Sequence, residues 1–273
     1  MIHAHHRESL PDQNRARVFQ LDVSGPKKQM LMFPGWNFII NQGALCVHSA
    51  VTKGLINRRT QILCVEHAQA NVPLIAEQIE LLGLTSRTRM HVGELKDLTL
   101  KPVERFDFAM FDFGSIPDRA TAVWIANVFT EKVVDGADIS FGIRCKDDWS
   151  ELFHTCRFGF ETKYRNYAAI LAMELAITDQ TILDHVLILA TLFKDFDFNY
   201  HHGLIYQAHN TPMIAVKFTG LKRRDELRDW PSIHDVLAAG QPLWDEQDLR
   251  RQKAIERADE KRRSKVAARS NPN

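Results

Sequence analysis

The feature that most constrains this chain is an alternation of short apolar runs, each stopping at a glycine or an acid, with longer stretches patterned as helices. Residues 30–33 stop at Pro34-Gly35, 62–65 at Glu66, and 89–92 at Gly93-Glu94. Residues 106–113 form the longest β-rich run and carry Asp112 near its end; 139–143 form a fifth run. Between them, 37–55, 68–82 and 117–134 read as helices, the last broken at Asp135-Gly136. In the second of these Val72, Ile75, Ile79 and Leu82 share one face and Gly83 is the stop signal. None of the apolar runs alternates with period two, which is how strands read when both of their faces are covered. Strand and helix in alternation give parallel strands joined by right-handed crossovers. The expected fold class is therefore α/β, a doubly wound, mostly parallel sheet.

The later chain extends this pattern. Residues 147–156 read as a helix, 164–176 fit helix or strand equally, and 181–193 form a strong helix with Ile182, Val186, Leu189 and Leu192 on one side. Residues 198–207 and 213–218 flank Ala208-His209-Asn210-Thr211-Pro212, a loop that favours a hairpin, so the sheet is expected to end in an antiparallel pair. His201 and His202 read as exposed strand residues. Three regions follow: a polar N-terminal arm (1–27) with a short helix near 13–21, the sheet domain (28–221), and a charged, partly helical extension (222–273). In the last, Trp230, Ile233, Val236 and Leu237 suit a small docked helix, with 247–268 as a separate charge-dense helix.

Charge narrows the partners. The 273 residues carry a net charge of +1, so any attraction to polyanions has to be local. Nine Lys or Arg lie between Arg250 and Arg269, with the basic excess beyond Lys261. Such a run is a solvated helix, or a contact for RNA or a protein. None of the four cysteines shows a Cys-x-x-Cys spacing, and Cys46 and Cys64 sit in apolar runs as small buried hydrophobes would. That predicts a reducing, cytoplasmic setting. No run approaches the roughly 20 apolar residues of a membrane helix. His3, His5 and His6 read as part of a solvated arm rather than a metal set.

In a doubly wound sheet, ligands bind outside the carboxyl ends of the strands, at the switch in strand order. Those ends here carry Gly35, Trp36 and Asn37, then Glu66, Glu94 and Asp112. A carboxylate after the second strand can accept both hydroxyl protons of a ribose. One after the third strand suits an exocyclic amine. The turn after the first strand opens a helix whose free N–H groups suit a carboxylate-bearing ligand.

Four stretches, Phe33-Pro-Gly-Trp-Asn37, Cys64-Val-Glu66, His91-Val-Gly-Glu-Leu95 and Phe106-Asp-Phe-Ala-Met-Phe-Asp-Phe-Gly114, resemble the class I S-adenosylmethionine-dependent methyltransferases over most of residues 28–220. The resemblance implies S-adenosylmethionine as cofactor. It puts Glu66 on the ribose, Glu94 on the adenine amine with Leu95 near the ring, Gly35 to Asn37 at the methionine end, and Asp112 at the transfer site. One place departs from the family: only Gly35 stands where two or three glycines are usual. A binding or assembly module that has lost catalysis is therefore the alternative. The sequence has no Gly-x-Gly-x-x-Gly fingerprint, no Gly-x-x-x-x-Gly-Lys-Ser/Thr loop and no Asp-Pro-Pro-Tyr motif. Their absence argues against a nicotinamide enzyme, a nucleoside triphosphatase and a DNA base aminomethylase.

Overall fold

In the computed structural model, which describes residues 10–34, 46–113, 117–144, 151–208, 211–226 and 230–270, the apolar runs become strands. They are β1 (Gln29–Met32), β2 (Gln61–Glu66), β3 (Thr88–Val92), β4 (Phe106–Asp112), β5 (Val133–Arg144), β6 (Phe196–Ala208) and β7 (Thr211–Arg223). They form one sheet in the order β3-β2-β1-β4-β5-β7-β6. The first five are parallel, and β7 runs antiparallel to both β5 and β6. Strand order reverses at β1, which lies between β2 and β4.

Successive side chains on each strand go to opposite faces. Leu31, Leu63, Ala109, Phe111, Ile139 and Phe141 face one way. They are covered by α4 (Arg119–Trp124), α5 (Glu151–Thr162), α6 (Arg165–Glu174), α7 (Gln180–Leu192) and the start of α8 (Ile233–Ser270). Met30, Met32, Ile62, Cys64, Phe108 and Met110 face the other way, under α2 (Cys46–Thr52) and α3 (Val72–Leu81). Both faces are apolar, which is why no strand shows period-two alternation.

Several boundaries differ from the sequence reading. Residues 10–27 are built into the body instead of forming an arm. Helix α1 (Leu10–Gln20) lies across β6, β7 and β5, burying Ala16 against Tyr206, Met213 and Ala215. Its end is held by Lys217, whose ammonium donates to the carbonyls of Phe19 (3.2 Å) and Asp22 (2.5 Å). Burial pulls the pKa of that amine down. The entry to β1 is tied by a buried ion pair, Lys27 Nζ to Asp138 Oδ2 at 2.6 Å. The expected break at Asp135-Gly136 lies inside β5, because Gly136 takes φ +83° and lets the strand bulge before pairing resumes at Asp138. The helix expected to reach residue 134 ends at Trp124, passes through a π turn (Ile125–Phe129) and a 3-10 turn (Thr130–Lys132), and gives way to β5 at Val133. The undecided stretch 164–176 is helical. Only the second part of the expected helix 37–55 falls in the described residues, as α2.

The two helices expected in the C-terminal extension are one, α8, with Pro242 inside it. Its first turns cross α5 at closest range where both helices carry glycine. A Cβ on Gly159 would lie 2.7 Å from the Val236 carbonyl, and one on Gly240 would lie 2.7 Å from the Thr155 carbonyl. Among the described residues no helix is long and apolar enough to cross a membrane.

Helix α4 opens on Asp118, whose Oδ1 accepts from the Thr121 N–H at 2.7 Å. Partial burial pushes the pKa of this carboxyl up, but the Thr121 bond and nearby Lys96 outweigh that and hold it below its ordinary value. Replacing such a cap costs about 1 kcal/mol, so Asp118→Ala is expected to lose that much in urea unfolding at pH 7. A depressed native pKa stabilises the fold only while the group is ionised. The difference between wild type and variant is thus fully present above about pH 4 and shrinks as the pH falls further. A difference that persists unchanged at pH 2.5 would rule out the charged cap.

Candidate functional site

The carboxyl ends of β1, β2, β3 and β4 lie side by side at one edge of the sheet, with the order reversal at β1, the usual place for a ligand in such a sheet. Glu66, the last residue of β2, is 6% exposed. Its Oε1 accepts from the Ala68 N–H at 2.8 Å and lies 3.5 Å from His67 Nδ1. No bond among the described residues occupies its other oxygen. A buried carboxylate that keeps an open acceptor at a strand end has the donor–acceptor chemistry a ribose diol needs. The Glu66 carbonyl also accepts from the Gly93 N–H at 2.9 Å, which ties the ends of β2 and β3 together.

Gly93 takes φ +139°, a conformation that side chains resist, and so turns the chain sharply after β3. Glu94 follows on the surface, exposed, with no capping bond from its side chain to the short 3-10 turn Leu95–Asp97. Its carbonyl oxygen lies 3.0 Å from His91 Nε2. Leu95 points the other way, into the core that includes Leu98 and Trp124. Glu66 and Glu94 thus flank the same turn.

Beyond β1, Phe33 packs edge-on against Phe111 and Phe113, with centroids 5.7 and 5.2 Å apart. Gly35, Trp36 and Asn37 lie outside the described residues, as do His3, His5 and His6. Asp112 ends β4, partly exposed. Burial of its carboxyl raises its pKa, while Arg17 of α1 acts in the opposite direction. A carboxylate made more basic in this way is a better proton acceptor at neutral pH.

Three residues near Asp112 were not singled out in the sequence: Arg17 and Gln20 of α1, and Tyr206 of β6. Asp112 Oδ1, Gln20 Nε2 and the Tyr206 hydroxyl all crowd the space above Gly142 of β5. The spacing of Ala16, Gln20 and Leu21, all buried, was the available signal. It marks a helix face rather than a solvated arm. His201 is exposed, as expected, with Nε2 2.7 Å from Thr219 Oγ1. Cys64 and Cys156 are buried and in no disulfide, and burial pushes the Cys156 thiol up to about 12. Among the described residues no cluster of three or more His, Cys, Asp or Glu could hold a metal ion.

No protein-family model matches the sequence. No curated protein matches it either. Some solved structures resemble it in part. The N-methyltransferase NodS from Bradyrhizobium japonicum is 12% identical, with 79% of this chain and 99% of that one covered, at a TM-score of 0.47. The O-methyltransferase TomG from Streptomyces achromogenes, solved with S-adenosylmethionine, is 12% identical over 79% of this chain and 86% of that one, at 0.44. An rRNA methylase from Streptococcus thermophilus is 14% identical over 81% and 99%, at 0.42. These are loose likenesses. The chain's own sheet is mixed: five parallel strands wound both ways from β1 and closed by the antiparallel pair β7-β6.

Proposed function

We propose that this chain is an S-adenosylmethionine-dependent methyltransferase. The observation that carries the reading is Glu66, a buried carboxylate with one open oxygen at the carboxyl end of β2, directly beside the order reversal. Glu66 would hold the ribose. Glu94 would reach the adenine amine across the Gly93 turn, with Leu95 fixing that turn from the core side. Gly35, Trp36 and Asn37 would line the methionine end. When bound, the cofactor supplies a methyl group already activated on a sulfonium, so the protein's share is orientation and exclusion of water. Asp112 would take the proton that the acceptor's nucleophile gives up, and its partial burial makes it more basic for that task.

The acceptor's class is open at this level. The basic end of α8 favours RNA or a protein over a free metabolite, since the sequence concentrates Lys and Arg beyond Lys261 on a chain that is otherwise nearly neutral. The buried thiols of Cys64 and Cys156, in no disulfide, suit a reducing, cytoplasmic setting. A second reading is motivated by Gly35 standing alone in the first loop: a methyltransferase-like fold kept for binding or assembly.

Calorimetric titration separates the two. Wild type is expected to bind S-adenosylmethionine and S-adenosylhomocysteine, and Glu66→Ala to weaken both about tenfold or more, the loss expected for hydrogen bonds to a charged group. No heat with wild type at millimolar ligand would overturn the enzyme reading in favour of the module. Equal affinity in Glu66→Ala would overturn the ribose assignment alone.

A further inference from the structure

Elements distant in sequence bring a second polar set to the same sheet edge, next to the end of β4. A Cβ built on Gly142 would lie 2.6 Å from Asp112 Oδ1, 3.2 Å from Gln20 Nε2 and 3.2 Å from the Tyr206 hydroxyl. The three polar groups, from β4, α1 and β6, therefore converge on one point above β5. Gln20 is 1% exposed, and its Nε2 has no hydrogen-bond partner among the described residues. A buried amide left without a partner keeps the full cost of its desolvation. Such a group is rare in a core and is accounted for when a ligand supplies the missing partner. Asp112, at the end of β4, is the partly exposed residue of the three.

The chemistry of the three groups restricts what could complete them. The Gln20 nitrogen only donates, so it requires an acceptor atom from the ligand. The Asp112 carboxylate only accepts when ionised, so it requires an N–H or O–H. The Tyr206 hydroxyl serves either way. A ligand that satisfies Gln20 and Asp112 together has an N–H beside a carbonyl oxygen. A thiol or a simple amine would leave Gln20 unsatisfied.

We propose that Gln20 and Tyr206 form, with Asp112, the acceptor-recognition end of the site, and that the methyl acceptor presents a lactam- or carboxamide-type edge to it. The proposal rests on the methyltransferase reading and specifies its substrate class. It also gives α1 a role: the helix carries one wall of the acceptor site.

The test uses the full chain, 15N-labelled and saturated with S-adenosylhomocysteine. Uracil serves as the lactam probe, nicotinamide as the carboxamide probe, and pyrimidine as the ring with neither group. Uracil or nicotinamide is expected to shift the Gln20 side-chain amide signals, and whichever binds identifies the source of the edge. Its affinity should fall at least about tenfold in Gln20→Leu and measurably in Tyr206→Phe, with melting temperatures of both variants close to wild type. Pyrimidine should not bind. The proposal is overturned if neither uracil nor nicotinamide binds, if pyrimidine binds equally well, or if both variants retain wild-type affinity for the probe. Failure of S-adenosylhomocysteine itself to bind would overturn the methyltransferase reading, and this proposal with it, and calorimetry with that ligand alone shows which has failed.

Discussion

Phe111→Ala is expected to destabilise the fold by about 3–5 kcal/mol, the range for emptying a large aromatic site in a packed core. Phe111 is fully buried in β4, at the centre of an aromatic group gathered from four elements. Its ring stacks on Phe141 of β5 at 5.1 Å and meets Phe129, after α4, edge-on at 5.2 Å. It also packs with Phe33 and Phe113, each 5.7 Å away, which follow the carboxyl ends of β1 and β4. Offset and edge-on pairs of this kind each add about 0.5–1.5 kcal/mol beyond the area they bury. Removing one ring therefore loses its own contacts and loosens the two residues that shape the ligand edge. Urea unfolding would measure the loss, with Leu81→Ala as the control. Leu81 is 73% exposed on α3, and its truncation should change stability by no more than about 0.5 kcal/mol. A Phe111→Ala cost below about 1.5 kcal/mol would mean that the site collapses freely and that the aromatic group is not what organises the sheet centre.

The strands were legible because burial on both faces leaves an unbroken apolar run, and 62–65 with Glu66 directly after it reads as a strand and its functional end in one glance. The strand itself is borne out by the ladder of β2 with β1 and β3, from Gln61 to Glu66. Helix α1 was not legible in the same way. Its inner face carries Arg17 and Gln20 alongside Ala16, so its composition reads as solvated although the side chains are buried. Those polar residues lie beside Asp112 and Tyr206, which are distant in the sequence and so leave no local trace. The Asp135-Gly136 pair looked like a boundary for a related reason. A glycine with positive φ ends most elements, yet here the neighbouring strands carry β5 through it. The extension was read as two helices, yet α8 runs on through Pro242, just after Gly240 packs closely on Thr155. Of the site, the acids at strand ends could be read, and the groups that surround Asp112 could not.

Gly142→Ala should separate the two halves of the site, with methyl transfer falling about a hundredfold, the scale expected when a reacting group is displaced by roughly 1 Å. Gly142 sits inside β5, paired with Asp112 on one side and Ala215 on the other, so its backbone cannot move away from an added methyl group. That methyl would lie 2.6 Å from Asp112 Oδ1, closer than carbon and oxygen tolerate, and the carboxylate must rotate off its present position. In an unstrained strand the same change would stabilise by about 0.5–1 kcal/mol, since glycine loses more backbone freedom on folding than alanine does. The clash reverses that sign, and overpacking of this kind costs about 1–3 kcal/mol. Two readings therefore move together: S-adenosylhomocysteine release in the presence of acceptor falls, and urea unfolding shows a less stable protein. Affinity for S-adenosylmethionine should stay within about twofold of wild type, because Glu66 lies three strands from Gly142, on the far side of β1, and is untouched. A variant that is more stable than wild type, or that transfers methyl at the wild-type rate, would show that an added methyl does not displace Asp112. A variant that loses cofactor affinity in step with turnover would show instead that the acceptor end and the adenosine end are one coupled pocket rather than two sites meeting at the end of β4.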